Sequence, residues 1–138
     1  MVTVSSGFGL MAAPHYTAYS ASKFAIRGFS EALRQEMARD GQPVAVTCVY
    51  PGRIRTPIMR NGSYAPGENA AAIAARFDRA ARMDADHAAA MILSRVARRR
   101  AQVLVGADAR AVSALLRVVG SSYQDLLPRA ARLTRRKS

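Results

Sequence analysis

The sequence predicts an α/β fold: a parallel sheet of about three strands with helices packed against it. Three observations carry this. Short β-branched runs at Val2–Val4, Val44–Tyr50 and Val103–Val105 alternate with long stretches of helical period. The middle run, VAVTCVY, is apolar almost throughout, as in a strand buried on both faces. Each run is closed by a glycine-bearing turn, at Gly7, Gly52 and Gly106, before helical sequence resumes. Strands alternating with helices imply right-handed crossovers onto one parallel sheet.

Met1–Ser5 reads as the first strand, centred on Val2, Thr3 and Val4. Gly7, Gly9 and Pro14 break the stretch up to Tyr16 into a loop. A helix is expected from Thr17 to about Arg39, with Phe24, Ala25, Phe29, Ala32, Leu33 and Met37 at helical spacing. Gly41 and Pro43 stop it. The second strand, Val44–Tyr50, ends at Pro51-Gly52, and residues 53–67 form a long mixed loop. Loops of that length in compact domains usually serve function. Glu68–Met83, rich in Ala and Arg, reads as a helix, and Asp84 as the cap of another to about Arg98. After the third strand, Asp108 is expected to cap a helix reaching about Val119. Residues 1–120 form one layered unit on this reading, and 121–138 a basic amphipathic extension broken by Pro128.

The bulk properties narrow the function classes. The chain has 138 residues, half of them hydrophobic, enough for one packed domain. Its single cysteine, Cys48, excludes an internal disulfide framework and sits in an apolar run, as a buried thiol would. His15 and His87 are not at metal-ligand spacing, so no metal site is expected. No run approaches the roughly 18 apolar residues that span a bilayer. No leader is recognisable either, and a cytoplasmic protein is expected. The net charge of +12 is uneven: residues 1–69 carry 7 Lys+Arg against 4 Asp+Glu, residues 70–138 carry 14 against 5. The second half reads as a solvated Arg-rich surface. Nucleic acid is not an expected partner, because no aromatics interleave the basic residues.

The chemistry gathers early in the chain. Tyr19 and Lys23 are four apart on a helix and therefore share a face. An ammonium beside a phenol favours the phenolate, so such a tyrosine can exchange a proton with an alcohol. Ser6 stands at the carboxyl end of the first strand, the edge at which catalytic groups collect in open α/β sheets. Its hydroxyl suits holding a carbonyl or alkoxide oxygen. The neighbouring Gly7-Phe8-Gly9-Leu10-Met11-Ala12 formally matches a dinucleotide fingerprint. Pro14 interrupts the helix that the fingerprint needs, and Glu31 lies within a helix rather than at a second strand's end. The match is set aside.

The order VTVSS, AYSASKFAIRGFSEAL, a buried strand and PGRIRT resembles the catalytic half of the short-chain dehydrogenase/reductase family. Ser6 precedes Tyr19 by thirteen positions, as in that family; Ser5 is the adjacent candidate. The resemblance covers about the first 60 residues strongly. It implies a partial Rossmann-like, doubly wound sheet. It also implies an NAD(P)-dependent alcohol–carbonyl oxidoreductase, with Ser6, Tyr19 and Lys23 catalytic and Tyr19 the acid/base. Lys23 would also hold the nicotinamide ribose. Pro51-Gly52, Ile54 and Thr56 would face the nicotinamide or the phosphates of NAD or NADP. The implied partner is a small alcohol or carbonyl substrate, with a homo-oligomer at full length.

The family's Gly-rich opening strand–turn–helix and its Asn-Asn-Ala-Gly segment do not occur in the chain. Met1 is therefore read as internal to a longer protein or as the start of a truncated product. On that reading the first strand has an open edge, the long helix has an uncovered face, and the chain alone binds dinucleotide weakly. The alternative function is a non-catalytic remnant acting by association. Met11, Ile58, Met59 and Tyr64 are candidates for an apolar substrate pocket under a lid at 53–67, with His15 beside it. In the tail, Leu126, Leu127, Ala130 and Leu133 run beside Arg129, Arg132, Arg135, Arg136 and Lys137. That pattern permits weak membrane-surface contact through residues 121–138.

Overall fold

A computed structural model describes the backbone of residues 1–135 and the side chains of residues 1–129. The side chains of Ala130, Arg132, Leu133 and Arg135, and all of Arg136 and Lys137, lie outside the described part. The strands are β1 (Val2–Val4), β2 (Thr47–Pro51), β3 (Ile54–Arg55), β4 (Met83–Asp84) and β5 (Gln102–Val105). The helices are α1 (Thr17–Arg39), α2 (Ala70–Ala80), α3 (Ala85–Ala97), α4 (Ala107–Val119) and α5 (Tyr123–Arg135). Single 3₁₀ turns occupy Gly7–Gly9 and Gly120–Ser122.

β1, β2 and β5 form a parallel sheet in the order β1-β2-β5, flanked by helices, as the alternating pattern requires. β2 is central, with Val2 opposite Thr47 and Cys48 opposite Gln102, and its first four residues are buried. Successive side chains point to opposite faces. Val49 packs with Val103, Val105 and Ala88 of α3, while Tyr50 lies toward Arg27 and Glu31 of α1. Cys48 is a free, buried thiol. α1 is tied to β1 through Thr3 and Ser30, whose hydroxyl oxygens are 2.6 Å apart.

The elements depart from the sequence expectations in five places. The second strand begins at Thr47, not Val44, and just before it the Val46 carbonyl accepts from the Arg34 guanidinium at 2.7 Å. The helix expected over Glu68–Met83 is α2, shortened to Ala70–Ala80 and capped by Asn69, whose side-chain Oδ1 accepts from the Ala72 amide at 2.9 Å. Met83 and Asp84 instead pair in parallel with Ile54 and Arg55, so the 53–67 segment begins as a strand rather than a loop. Asp108 does not cap α4: Gly106 does so at φ +96°, and Asp108 sits in the first turn with its carboxylate on Arg53. Pro128 does not break the tail, because α5 runs through it. The missing proline N–H costs one internal bond, and the Tyr123 hydroxyl anchors the helix by accepting from the Ala12 amide at 3.2 Å.

β1 is an edge strand among the described residues, with Val2 and Val4 about half exposed. Beside it an apolar groove of about 500 Å³ is lined by Thr3, Val4, Ala25, Ile26 and Phe29. Among the described residues no helix is long and apolar enough to cross a membrane.

Candidate active site

In a parallel sheet all strands exit at the same edge. The turns after β1, β2 and β5 therefore bring Ser6, Gly52 and Gly106 to one side of the molecule. The residues singled out in the sequence lie at or near this edge.

Ser5 and Ser6 are separated by strand alternation. Ser5 is 3% exposed, and its hydroxyl donates to the Lys23 carbonyl at 2.8 Å, fixing α1 against the end of β1. Ser6 is only partly buried, and its oxygen accepts from the Phe8 amide at 3.2 Å to cap the 3₁₀ turn. That bond orients Ser6 while leaving its O–H proton uncommitted. Gly9 is the close-approach residue. A Cβ there would stand 2.8 Å from the Lys23 carbonyl oxygen and collide with the Ser5 hydroxyl. The glycine that mimics a dinucleotide fingerprint thus admits α1 to the strand end.

Tyr19 lies in the first turn of α1 and is 38% exposed. Its ring meets Phe8 edge-on at 5.9 Å, and Phe8 in turn stacks on Tyr16 at 4.8 Å. The Lys23 ammonium is 5.4 Å from the centre of the Tyr19 ring, and it donates to the Val4 carbonyl at 3.3 Å. Among the described residues no group takes the Tyr19 hydroxyl as a hydrogen-bond partner, and none joins it to Ser6. His15 precedes this turn with φ +69°, a strained value for a non-glycine residue. It is exposed.

Pro51 is the last residue of β2, opposite Val105, and the Gly52 amide extends the ladder to the Val105 carbonyl at 2.8 Å. Arg53 follows, with its amide on the Asp108 carboxylate at 2.7 Å. Ile54 is partly buried against the Val49 core, and the Thr56 hydroxyl is 3.5 Å from the Ile54 carbonyl. Of the pocket candidates, Met59 and Tyr64 meet, the Tyr64 hydroxyl donating to the Met59 carbonyl, while Ile58 is 56% exposed. Arg60 reaches Asp78 of α2 at 2.6 Å and ties the segment to that helix. His87 lies in the first turn of α3, its amide bonded to Asp84. The residue that sequence reasoning missed is Asp108. Burial pushes its carboxyl pKa up, but hydrogen bonds from the Arg53 and Ala109 amides and the Arg53 guanidinium outweigh this and hold it below the ordinary value. In the sequence it read only as a helix cap.

A parallel sheet wrapped by helices, with polar groups gathered at its carboxyl edge, defines a Rossmann-like α/β protein. Residues 1–66 match the family model described as short chain dehydrogenase. SadH of Mycobacterium tuberculosis, named as an oxidoreductase, is 49% identical over 128 residues, covering 92% of this chain and 46% of SadH. YbbO of Escherichia coli, named as an uncharacterized oxidoreductase, is 42% identical over 81 residues, covering 56% of this chain and 29% of YbbO. A short-chain dehydrogenase/reductase structure from Burkholderia phymatum, in complex with NAD, superposes with a TM-score of 0.73 at 22% identity. It covers 89% of this chain and 47% of that one. One from Burkholderia cenocepacia, in complex with NADP, gives 0.69 at 24% identity, covering 91% and 47%. These matches support reading the chain as part of a short-chain dehydrogenase/reductase. It spans about half the length of SadH and of these two structures.

Proposed function

We propose that the protein carrying these residues is an NAD(P)-dependent oxidoreductase that interconverts an alcohol and a ketone or aldehyde. Tyr19 is the acid/base. The observation that carries this reading is the Lys23 ammonium 5.4 Å from the centre of the Tyr19 ring, at the sheet edge where Ser6 offers a free O–H. The donor set fits the nicotinamide end of the cofactor: one of the three ammonium N–H groups of Lys23 goes to Val4, leaving two for ribose hydroxyls. When bound, the nicotinamide supplies or accepts the hydride.

The chain's own residues handle the proton and the oxygen. During carbonyl reduction the Tyr19 hydroxyl gives its proton to the developing alkoxide, and the Lys23 charge stabilises the phenolate left behind. Ser6 donates a hydrogen bond to the same oxygen and holds it in place. In the oxidising direction Tyr19 takes the alcohol proton. The Pro51–Thr56 turn forms a wall beside these groups. The relatives' names and the NAD and NADP complexes support the assignment of reaction and cofactor.

The test is Tyr19→Phe in the protein that carries this sequence, assayed with NAD and NADP against a panel of alcohols and carbonyls. Turnover should fall by about a hundredfold or more, the range expected for loss of a general acid/base. Full turnover in Tyr19→Phe would overturn the reading.

A further inference from the structure

We propose that Asp108 is a positioning residue that holds the Pro51–Thr56 turn in place for the nicotinamide; the proposal rests on the oxidoreductase reading. Asp108 belongs to α4, yet its carboxylate reaches a turn 55 residues earlier in the chain. One oxygen accepts from the Arg53 amide at 2.7 Å and from the Arg53 Nε at 3.3 Å. The other accepts from the Ala109 amide at 3.0 Å. Both oxygens are occupied, and the side chain is 29% exposed.

The location gives the contact its meaning. The β2–β5 ladder ends with the Gly52 amide on the Val105 carbonyl. Asp108 continues the connection one residue further, onto a backbone amide that has no strand partner. Beyond it, Ile54 and Arg55 are held by pairing with Met83 and Asp84. The turn is thus clamped at both ends. Without the carboxylate, Arg53 would carry an unmet amide, and the turn could pivot about Gly52.

Two glycines make room for the clamp. A Cβ on Gly52 would collide with the Asp108 carboxylate, and one on Gly106 would lie 2.7 Å from it. A residue serving only its own helix would not need a glycine in another element. The position in the first turn of α4 also favours a negative charge, and the depressed carboxyl pKa agrees with a bonded carboxylate.

The experiment compares Asp108→Ala and Asp108→Asn in the full protein. Amide hydrogen exchange at Arg53 should rise roughly tenfold or more in Asp108→Ala, as for loss of a charged acceptor. Thr47–Tyr50 should stay protected. Asp108→Asn, which keeps one carbonyl acceptor, should recover part of the protection. The KM for the dinucleotide should rise several-fold in Asp108→Ala with a smaller change in kcat, again with partial recovery in Asp108→Asn. Gly52→Ala should be less damaging in the Asp108→Ala background than alone. Should Asp108→Ala fail to fold, Asp108→Asn supplies both readouts. Unchanged exchange at Arg53 would overturn the proposal. So would raised exchange with an unmoved dinucleotide KM. Absence of dinucleotide binding and turnover in the unsubstituted protein would sink the oxidoreductase reading itself, while exchange at Arg53 would still report on the clamp.

Discussion

Ser5 and Ser6 are adjacent in sequence, and the extended backbone that follows β1 gives them different work. Ser5 spends its hydroxyl on the Lys23 carbonyl, whereas Ser6 keeps its proton. The spacings from Ser6 to Tyr19 to Lys23 are one-dimensional, so they are legible in the sequence. The environment of Gly9 is not, because what forbids a side chain there is a helix that arrives later in the chain. Gly9→Ala should destabilise the fold by about 1–3 kcal/mol, the usual cost of overpacking, read as a lowered denaturation midpoint. Its Cβ would meet backbone at Lys23, which cannot swing aside. The Arg53–Asp108 contact was equally invisible, since nothing in either local sequence names the other. It has a pH signature. The Asp108 carboxyl lies below the ordinary carboxylate value in the folded protein, so its stabilising contribution is complete above that ordinary value, about pH 4, and is lost as the pH falls through the folded value. Acid unfolding followed by circular dichroism should show a shallower decline in Asp108→Asn than in the unsubstituted protein.

The helices were legible where caps and apolar period agreed. α1 begins at Thr17 and ends at Arg39, and Asp84 caps α3 through the His87 amide at 2.8 Å. β3 and β4 were not, because two-residue strands carry no period to read. Their pairing shortens α2 and converts the start of the expected lid into a fixed ladder. Asn69 then becomes the cap of α2. Asn69→Ala should cost about 1 kcal/mol, measured by chemical denaturation, while leaving Tyr19 chemistry intact. At α4 the sequence pointed to Asp108 as the cap. Glycine took the cap because only it adopts φ +96° easily, and the Asp108 carboxylate reaches across to Arg53 in the turn after β2.

The sheet order follows from alternation and from the apolar β2, which is why the architecture was the most legible feature of the chain. Among the described residues β1 has no partner on its outer side, and Val2 and Val4 there are about half exposed. Val4→Lys should lower concentration-dependent association, measured by sedimentation, by several-fold. The Ser6, Pro51 and Asp108 segments meet only because three parallel strands end together. Parallel neighbours cannot be joined by a hairpin, so Val2 finds Thr47, and Cys48 finds Gln102, only after long stretches of chain have been enclosed. Closing such loops is entropically slow, and little reward is collected until the ladder forms. The helices therefore have time to form while the strand ends are still apart. In refolding from denaturant, helical signal should precede the aromatic environment of Tyr19, and the proposed site should emerge in one late, cooperative step.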